Sequence, residues 1–137
     1  MSGLSAFLKE NKKGYGTMKI VASDAFVDGD GKPIEWEIRK LKSKELDSIR
    51  KECSTVKKGG EIDVDTRKLN SMIASRCTVF PNLNDKELQD SYGVMGADSL
   101  ITEMLDVAGD YNNYVSAIMH FSGLDKSYKD LTEEAKN

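Results

Sequence analysis

The chain reads as an α+β fold: a single, mainly helical domain of about five helices, led by an N-terminal β-hairpin. Three observations carry this reading. Ile34, Trp36 and Ile38 alternate with Glu35, Glu37 and Arg39, the period-two pattern of a half-buried strand. Beyond Ser43 the apolar residues recur at helical spacing instead, in Leu46/Ile49/Cys53, Leu69/Met72/Ile73, Leu100/Met104/Leu105 and Tyr114/Ile118/Phe121. A length of 137 residues suits one buried core that needs no metal or disulfide staple.

Residues 1–16 form an arm and linker. Ser5 to Glu10 suits one or two helical turns, with Leu4, Phe7 and Leu8 as a small apolar stripe. Asn11 to Gly16 is a polar, glycine-containing tether. Such an arm docks on its own domain or on a neighbour, or it frays.

The globular domain is expected over residues 17–123, with the hairpin at 17–40 and the helical part at 43–123. Thr17 to Val27 is rich in β-branched and apolar residues, and Asp28-Gly29-Asp30-Gly31 supplies the turn. Asp28 and Asp30 have the spacing of the first two ligands of a calcium-binding EF-hand loop. Pro33 stands where that loop needs Gly and Arg39 where it needs a bidentate Glu, so calcium is rejected. Two strands alone are marginal in water, so the face carrying Trp36 must cover the helices.

Ser43 is expected to cap the first helix and Glu45 to sit favourably in its first turn. Leu46, Ile49, Cys53 and Val56 form its inner stripe, and Gly59-Gly60 ends it after Lys57 and Lys58. Asp63 or Asp65 opens the next helix, whose inner face runs through Leu69, Met72, Ile73, Arg76, Cys77 and Phe80 until Pro81 closes it. A short punctuated helix follows, capped by Asn84 and stopped at Gly93. Ala97 to Ala108 carries a stripe wide enough for a central helix and ends at Gly109. Asp110 caps the last long helix, which stops at Gly123. Residues 124–137 form a polar tail or one more short helix.

Charge is uneven. The net charge is −3, yet residues 39–58 hold eight Lys or Arg against three acids, while residues 82–137 hold eleven acids against four Lys. Two ordinary solvated faces explain this, as does steering of a partner. A small nucleic-acid-binding regulator using residues 39–58 is the alternative functional reading. The acidic balance, with a pI near 5.2, opposes it.

Catalytic and metal signatures are missing. His120 is the one histidine and has no Cys or acid at i ± 4, so no metal site of usual spacing can be written. Cys53 and Cys77 fall on apolar stripes, which fits reduced, buried thiols. There is no phosphate-binding Gly-rich motif. No apolar run approaches the length of a membrane span. Residues 1–13 lack the apolar core of a signal peptide, so the expected location is cytoplasmic.

Three stretches together resemble a known family. Residues Ala25 to Arg39, with Val27-Asp28-Gly29-Asp30-Gly31 and Trp36, are similar to the N-terminal hairpin of tail assembly chaperones from contractile-tailed phages. Those chaperones also occur in defective prophages and in phage-tail-like bacteriocins of Gram-positive bacteria. Pro81-Asn82-Leu83 followed by Glu87 to Val94 resembles the family's second signature. Leu100 to Gly109 resembles the third, with Gly109-Asp110 where Gly-Glu is usual. The resemblance spans about residues 4–123.

It implies a non-enzymatic assembly factor with no cofactor, small-molecule substrate, nucleic acid or membrane partner. Such a factor binds the tape measure protein, keeps it soluble and helps recruit tail tube subunits. It acts in the cytoplasm of the bacterial host, as a homo-oligomer, and is absent from the mature virion. Binding an amphipathic helix needs an apolar strip with a polar rim. Leu83, Tyr92, Val94 and Met95, large residues on a glycine-flanked turn, are the candidate contact residues. Met72 and Met104 are read as core.

Overall fold

A computed structural model describes residues 3–124 of the chain. Two short 3-10 turns, Gly3–Phe7 and Lys9–Asn11, make up the arm. The domain then runs β1 (Thr17–Ile20), β2 (Trp36–Arg39), α1 (Ser43–Glu52), β3 (Ser54–Val56), β4 (Ile62–Val64), α2 (Thr66–Cys77), β5 (Thr78–Phe80), α3 (Lys86–Ser91), α4 (Ala97–Met104) and α5 (Ala108–Phe121). The α+β architecture and its five α-helices follow the sequence pattern.

Strands β1 and β2 pair antiparallel, with Met18 opposite Ile38 and Ile20 opposite Trp36. The alternation at β2 is real: Trp36 and Ile38 are buried while Glu37 and Arg39 are partly exposed. The link between the two strands is longer than a simple hairpin. Its tip is a tight turn in which the Asp28 carboxylate accepts from the N–H groups of Asp30 and Lys32, and Gly31 takes φ +80°. That Asx-type bonding is the ordinary turn use of Asp.

The hairpin is not the whole sheet. β5 adds on the other side of β2, giving the order β1-β2-β5. The expected helix through Phe80 therefore stops at Cys77. The Thr78 hydroxyl donates back to the Ala74 carbonyl at 2.7 Å, and Val79 and Phe80 point to the surface. Arg76, expected inside, is exposed as well.

A second departure follows α1. The helix ends at Glu52 with Cys53 as its C-cap, not at Gly59-Gly60. Residues 54–64 form a separate two-stranded ribbon, with Val56 opposite Ile62 and Ser54 opposite Val64. Gly59 and Gly60, at φ +102° and +89°, make its turn. Val56 is thus exposed instead of buried. At the start of α1 the cap position belongs to Lys42, one residue before Ser43. Glu45 reaches back to the Lys42 N–H at 3.1 Å.

Asp65 caps α2, its carboxylate accepting from the Lys68 N–H. α2 is the central helix: it packs against α1, α4 and α5, and Met72, Ile73, Ala74 and Cys77 are buried. Residues 97–108 do not supply that centre, because α4 ends at Met104. The break falls at Leu105 to Val107, so Gly109 and Asp110 lie inside the first turn of α5 instead of separating two helices.

Trp36 lies over the helical core from the sheet. Its ring is 5.3 Å from Tyr114, edge to face, and 5.7 Å from Phe26. Fully burying each such side chain stabilises the fold by roughly 1.5–3 kcal/mol. The expected tail, residues 124–137, lies beyond the described residues except for Leu124.

Candidate functional site

The corner between α2 and α4 is built by backbone anchors. Asp85, not Asn84, caps α3, its carboxylate accepting from the Leu88 N–H at 2.9 Å; Asn82 serves the Asn84 N–H. The helix ends in a double C-terminal closure: Val94 N–H bonds the Gln89 carbonyl and Gly93 N–H bonds that of Asp90. Gly93, at φ +67°, allows this turn. The Gln89 side chain then spans the corner. Its amide donates to the Leu83 carbonyl at 2.8 Å, and its oxygen accepts from the Gly96 N–H at 3.0 Å.

The four candidate contact residues part company on this scaffold. Leu83 is only 2% exposed and serves the core. Tyr92 and Val94 are half-buried and pack on that core. Met95 is 91% exposed, held between Gly93 and Gly96 with its thioether in solvent. An adaptable, polarizable apolar side chain on a firmly anchored turn is suited to contact a protein surface.

The basic stretch 39–58 is divided among a cleft, a helix and the ribbon. Arg39 is engaged by Glu45. Lys40, Lys42 and Lys44 line a cleft with Lys12, Tyr15 and Ser122. Two of these cations lie over aromatic rings, Lys12 over Tyr15 and Lys40 over Phe121. The Ser122 hydroxyl accepts from the Leu41 N–H, which ties the end of α5 to this loop. Arg50 and Lys51 lie on α1, and Lys57 and Lys58 belong to the ribbon turn, where Lys57 faces Asp63 at 3.9 Å. The cations of the stretch thus divide between this cleft, α1 and the ribbon turn.

Sequence reasoning missed the ribbon. Val56 is 75% and Ile62 69% exposed, and Val64 is also exposed. Since directly paired residues share a face, Ser54, Val56, Ile62 and Val64 form one side and Thr55 and Asp63 the other. The available signal was two β-branched triplets flanking a Gly-Gly turn.

Cys53 and Cys77 are both free and buried. Burial pushes the Cys77 thiol up to about 11, far from the range in which a thiolate nucleophile works. Cys53 is also raised by burial, and its sulfur lies 3.7 Å from that of Met72. His120 is exposed in the last turn of α5. Among the described residues, no group of three His, Cys, Asp or Glu side chains is placed to hold a metal ion. Among the same residues no helix is long and apolar enough to cross a membrane.

Comparison with known proteins agrees with the resemblance. The family described as "Phage XkdN-like tail assembly chaperone protein" matches residues 4–136. The XkdN protein of the phage-like element PBSX of Bacillus subtilis (strain 168) is 28% identical over 124 residues, which cover 88% of this chain and 84% of XkdN. YqbN of the same organism, named only as an uncharacterized protein, is also 28% identical over 124 residues, covering 88% and 83%. The crystal structure of YqbN superimposes with a TM-score of 0.78 at 23% identity, over 91% of this chain and 99% of that one. That likeness shows a shared fold.

Proposed function

The chain belongs to the phage XkdN-like tail assembly chaperone family, and from this premise we propose that it binds the tape measure protein during tail morphogenesis. In this reading it keeps that long helical protein soluble and helps recruit tail tube subunits, in the assembly of a contractile tail. It does so as a homo-oligomer, without catalysis, cofactor or small-molecule substrate. It works in the cytoplasm of the bacterial host and is left out of the mature virion.

The observation that carries the reading is the family match across residues 4–136, which includes every strand and α-helix of the domain. The corner supports a contact role for Met95, with Tyr92 and Val94 as its partly buried flanks; Leu83 contributes by holding the turn from inside. An apolar knob on a rigid base can seat in the stripe of an amphipathic helix while the polar surroundings stay hydrated.

Co-expression tests it. The tape measure protein encoded beside this gene should stay soluble and co-purify with the chain. Without the chain it should precipitate. Equal solubility in both cases would remove the reading. Met95→Glu should abolish co-purification while leaving the circular dichroism melt unchanged.

A further inference from the structure

Two exposed apolar surfaces find no cover within the described chain. One is the arm, where Leu4 and Phe7 are 79% and 84% exposed and Leu8 is 45% exposed. In the 3-10 turn Gly3–Phe7, Leu4 and Phe7 are eclipsed at i, i+3 and share one side, and Leu8 follows in extended backbone. The other is the ribbon face of Val56, Ile62 and Val64, backed by a polar face on which Lys57 pairs with Asp63. A two-stranded ribbon is marginal on its own, and apolar β-branched side chains turned to water do not stabilise it. We infer that the arm of one copy docks on the ribbon of a second copy, and that the exchange is reciprocal.

Area decides the occupant. Three side chains meeting three bury roughly 600 Å² in all, at about 100 Å² for each side chain removed from water. Ribbon against ribbon would stop there, well short of the ~1,000 Å² a specific interface needs. Two arm–ribbon contacts, made at once across a two-fold axis, reach about 1,200 Å², the lower end of stable interfaces. The arm is also the right size: three exposed apolar residues for a three-residue face.

Position favours exchange between copies. The arm leaves the domain beside the start of α1, since Lys12 and Tyr15 share a cleft with Ser43. The ribbon begins at Ser54, just past the other end of that helix. The ten residues of α1 separate the two by about 15 Å. A two-fold axis passing α1 therefore sets each arm against the opposite ribbon, and the tether with Gly14 and Gly16 supplies the slack. The inference rests on the homo-oligomer part of the reading above and is independent of tape measure binding.

Sedimentation velocity over a concentration series tests it on three forms of the full chain: wild type, Leu4→Asp/Phe7→Asp and Val56→Asp/Ile62→Asp. Wild type should dimerise, and each variant alone should run as a monomer with an unchanged melting curve. An equimolar mixture of the two variants keeps one intact arm–ribbon contact in each mixed pair, about half the area, so it should associate weakly, above either variant alone and well below wild type. A monomeric wild type would overturn the homo-oligomer reading together with the inference. A dimer that survives both variants would overturn the inference alone. If only the arm variant is monomeric, the arm docks elsewhere and the ribbon assignment fails. If wild type is monomeric and the arm variant shifts the ribbon amides in NMR spectra, the arm covers its own ribbon and exchange is ruled out. A destabilised ribbon variant would be replaced by Val56→Thr/Ile62→Thr, read the same way.

Discussion

Arg39 and Glu45 meet fork to fork, with Nη1 2.8 Å from Oε1 and Nη2 2.6 Å from Oε2, and so join the central strand to the first turn of α1. The Arg39 hydrogen bond is the main reason the Glu45 carboxyl is held below its usual range; partial burial opposes it and the Lys42 N–H assists. A depressed folded-state value contributes stability above the ordinary carboxylate range. That contribution is lost as pH falls through the lowered value. Glu45→Gln should therefore cost about 0.5–1 kcal/mol at pH 7, a figure reduced for the solvent around this pair. Urea melts should show the gap from wild type closing as the pH falls from about 4 through the lowered Glu45 value, below which both proteins are uncharged at that position.

Tyr114 and Thr78 share a partly buried hydroxyl contact. Because Thr78 spends its own hydrogen on the Ala74 carbonyl, Tyr114 is the donor to Thr78. Burial raises the phenol well above its ordinary value, so it stays neutral. Tyr114→Phe removes one bond and keeps the ring, at an expected cost of about 0.5–1.5 kcal/mol. Tyr114→Ala also opens a cavity beside Trp36 and should cost about 3–5 kcal/mol. Trp36 is the single tryptophan, so its emission reports directly on the second variant.

Gly96 has φ +97° and ψ 147°, a region that side chains rarely enter, and a methyl there would lie 3.0 Å from the Asp98 carboxylate. Gly96→Ala should cost about 1–3 kcal/mol. Gln89→Ala removes both anchors of the same turn. Its larger effect should be on binding: a several-fold weaker hold on the tape measure protein, measured by titration, with the helical signal retained. Unaltered affinity would take Met95 out of the working surface.

Both thiols should resist modification in the native state. Burial raises Cys77 and Cys53 alike, so few thiolates exist at pH 8 and reagents cannot reach them. A colorimetric thiol assay should read close to zero in buffer and two thiols per chain in guanidinium. The rate between these limits should follow global unfolding. Rapid labelling of Cys77 without denaturant would contradict its place in the core.

The helical stripes and the core-facing Trp36 of β2 were legible because each element keeps one period and buries one face. The three-residue strands β3, β4 and β5 were not. Thr78, Val79 and Phe80 continue the apolar run of α2 without a change of period, and what stops the helix is pairing with β2, a partner far away in the chain. Val56 falls seven residues after Ile49, in helical phase, so a strand residue passed for a helical one. At the corner, sequence placed large residues on a turn between two glycines, with the helix cap one residue early, at Asn84 instead of Asp85. It had no means of telling that Leu83 turns inward while Met95 turns out, because that choice is made by the Gln89 bridge and by packing.

The sheet order β1-β2-β5 has a bearing on how the protein is born. Its middle strand emerges from the ribosome long before the edge strand that completes the sheet, and the Trp36 ring waits longer still for Tyr114. A nascent chain that has not yet delivered α5 has Phe26 beside its largest aromatic side chain but lacks Tyr114. This assembly factor should thus remain uncommitted during most of its own translation, and fold in one late cooperative step. Arrested nascent chains ending before Tyr114 should be cut by protease along their length, and those extending past Leu124 by a tunnel's worth of residues should resist it.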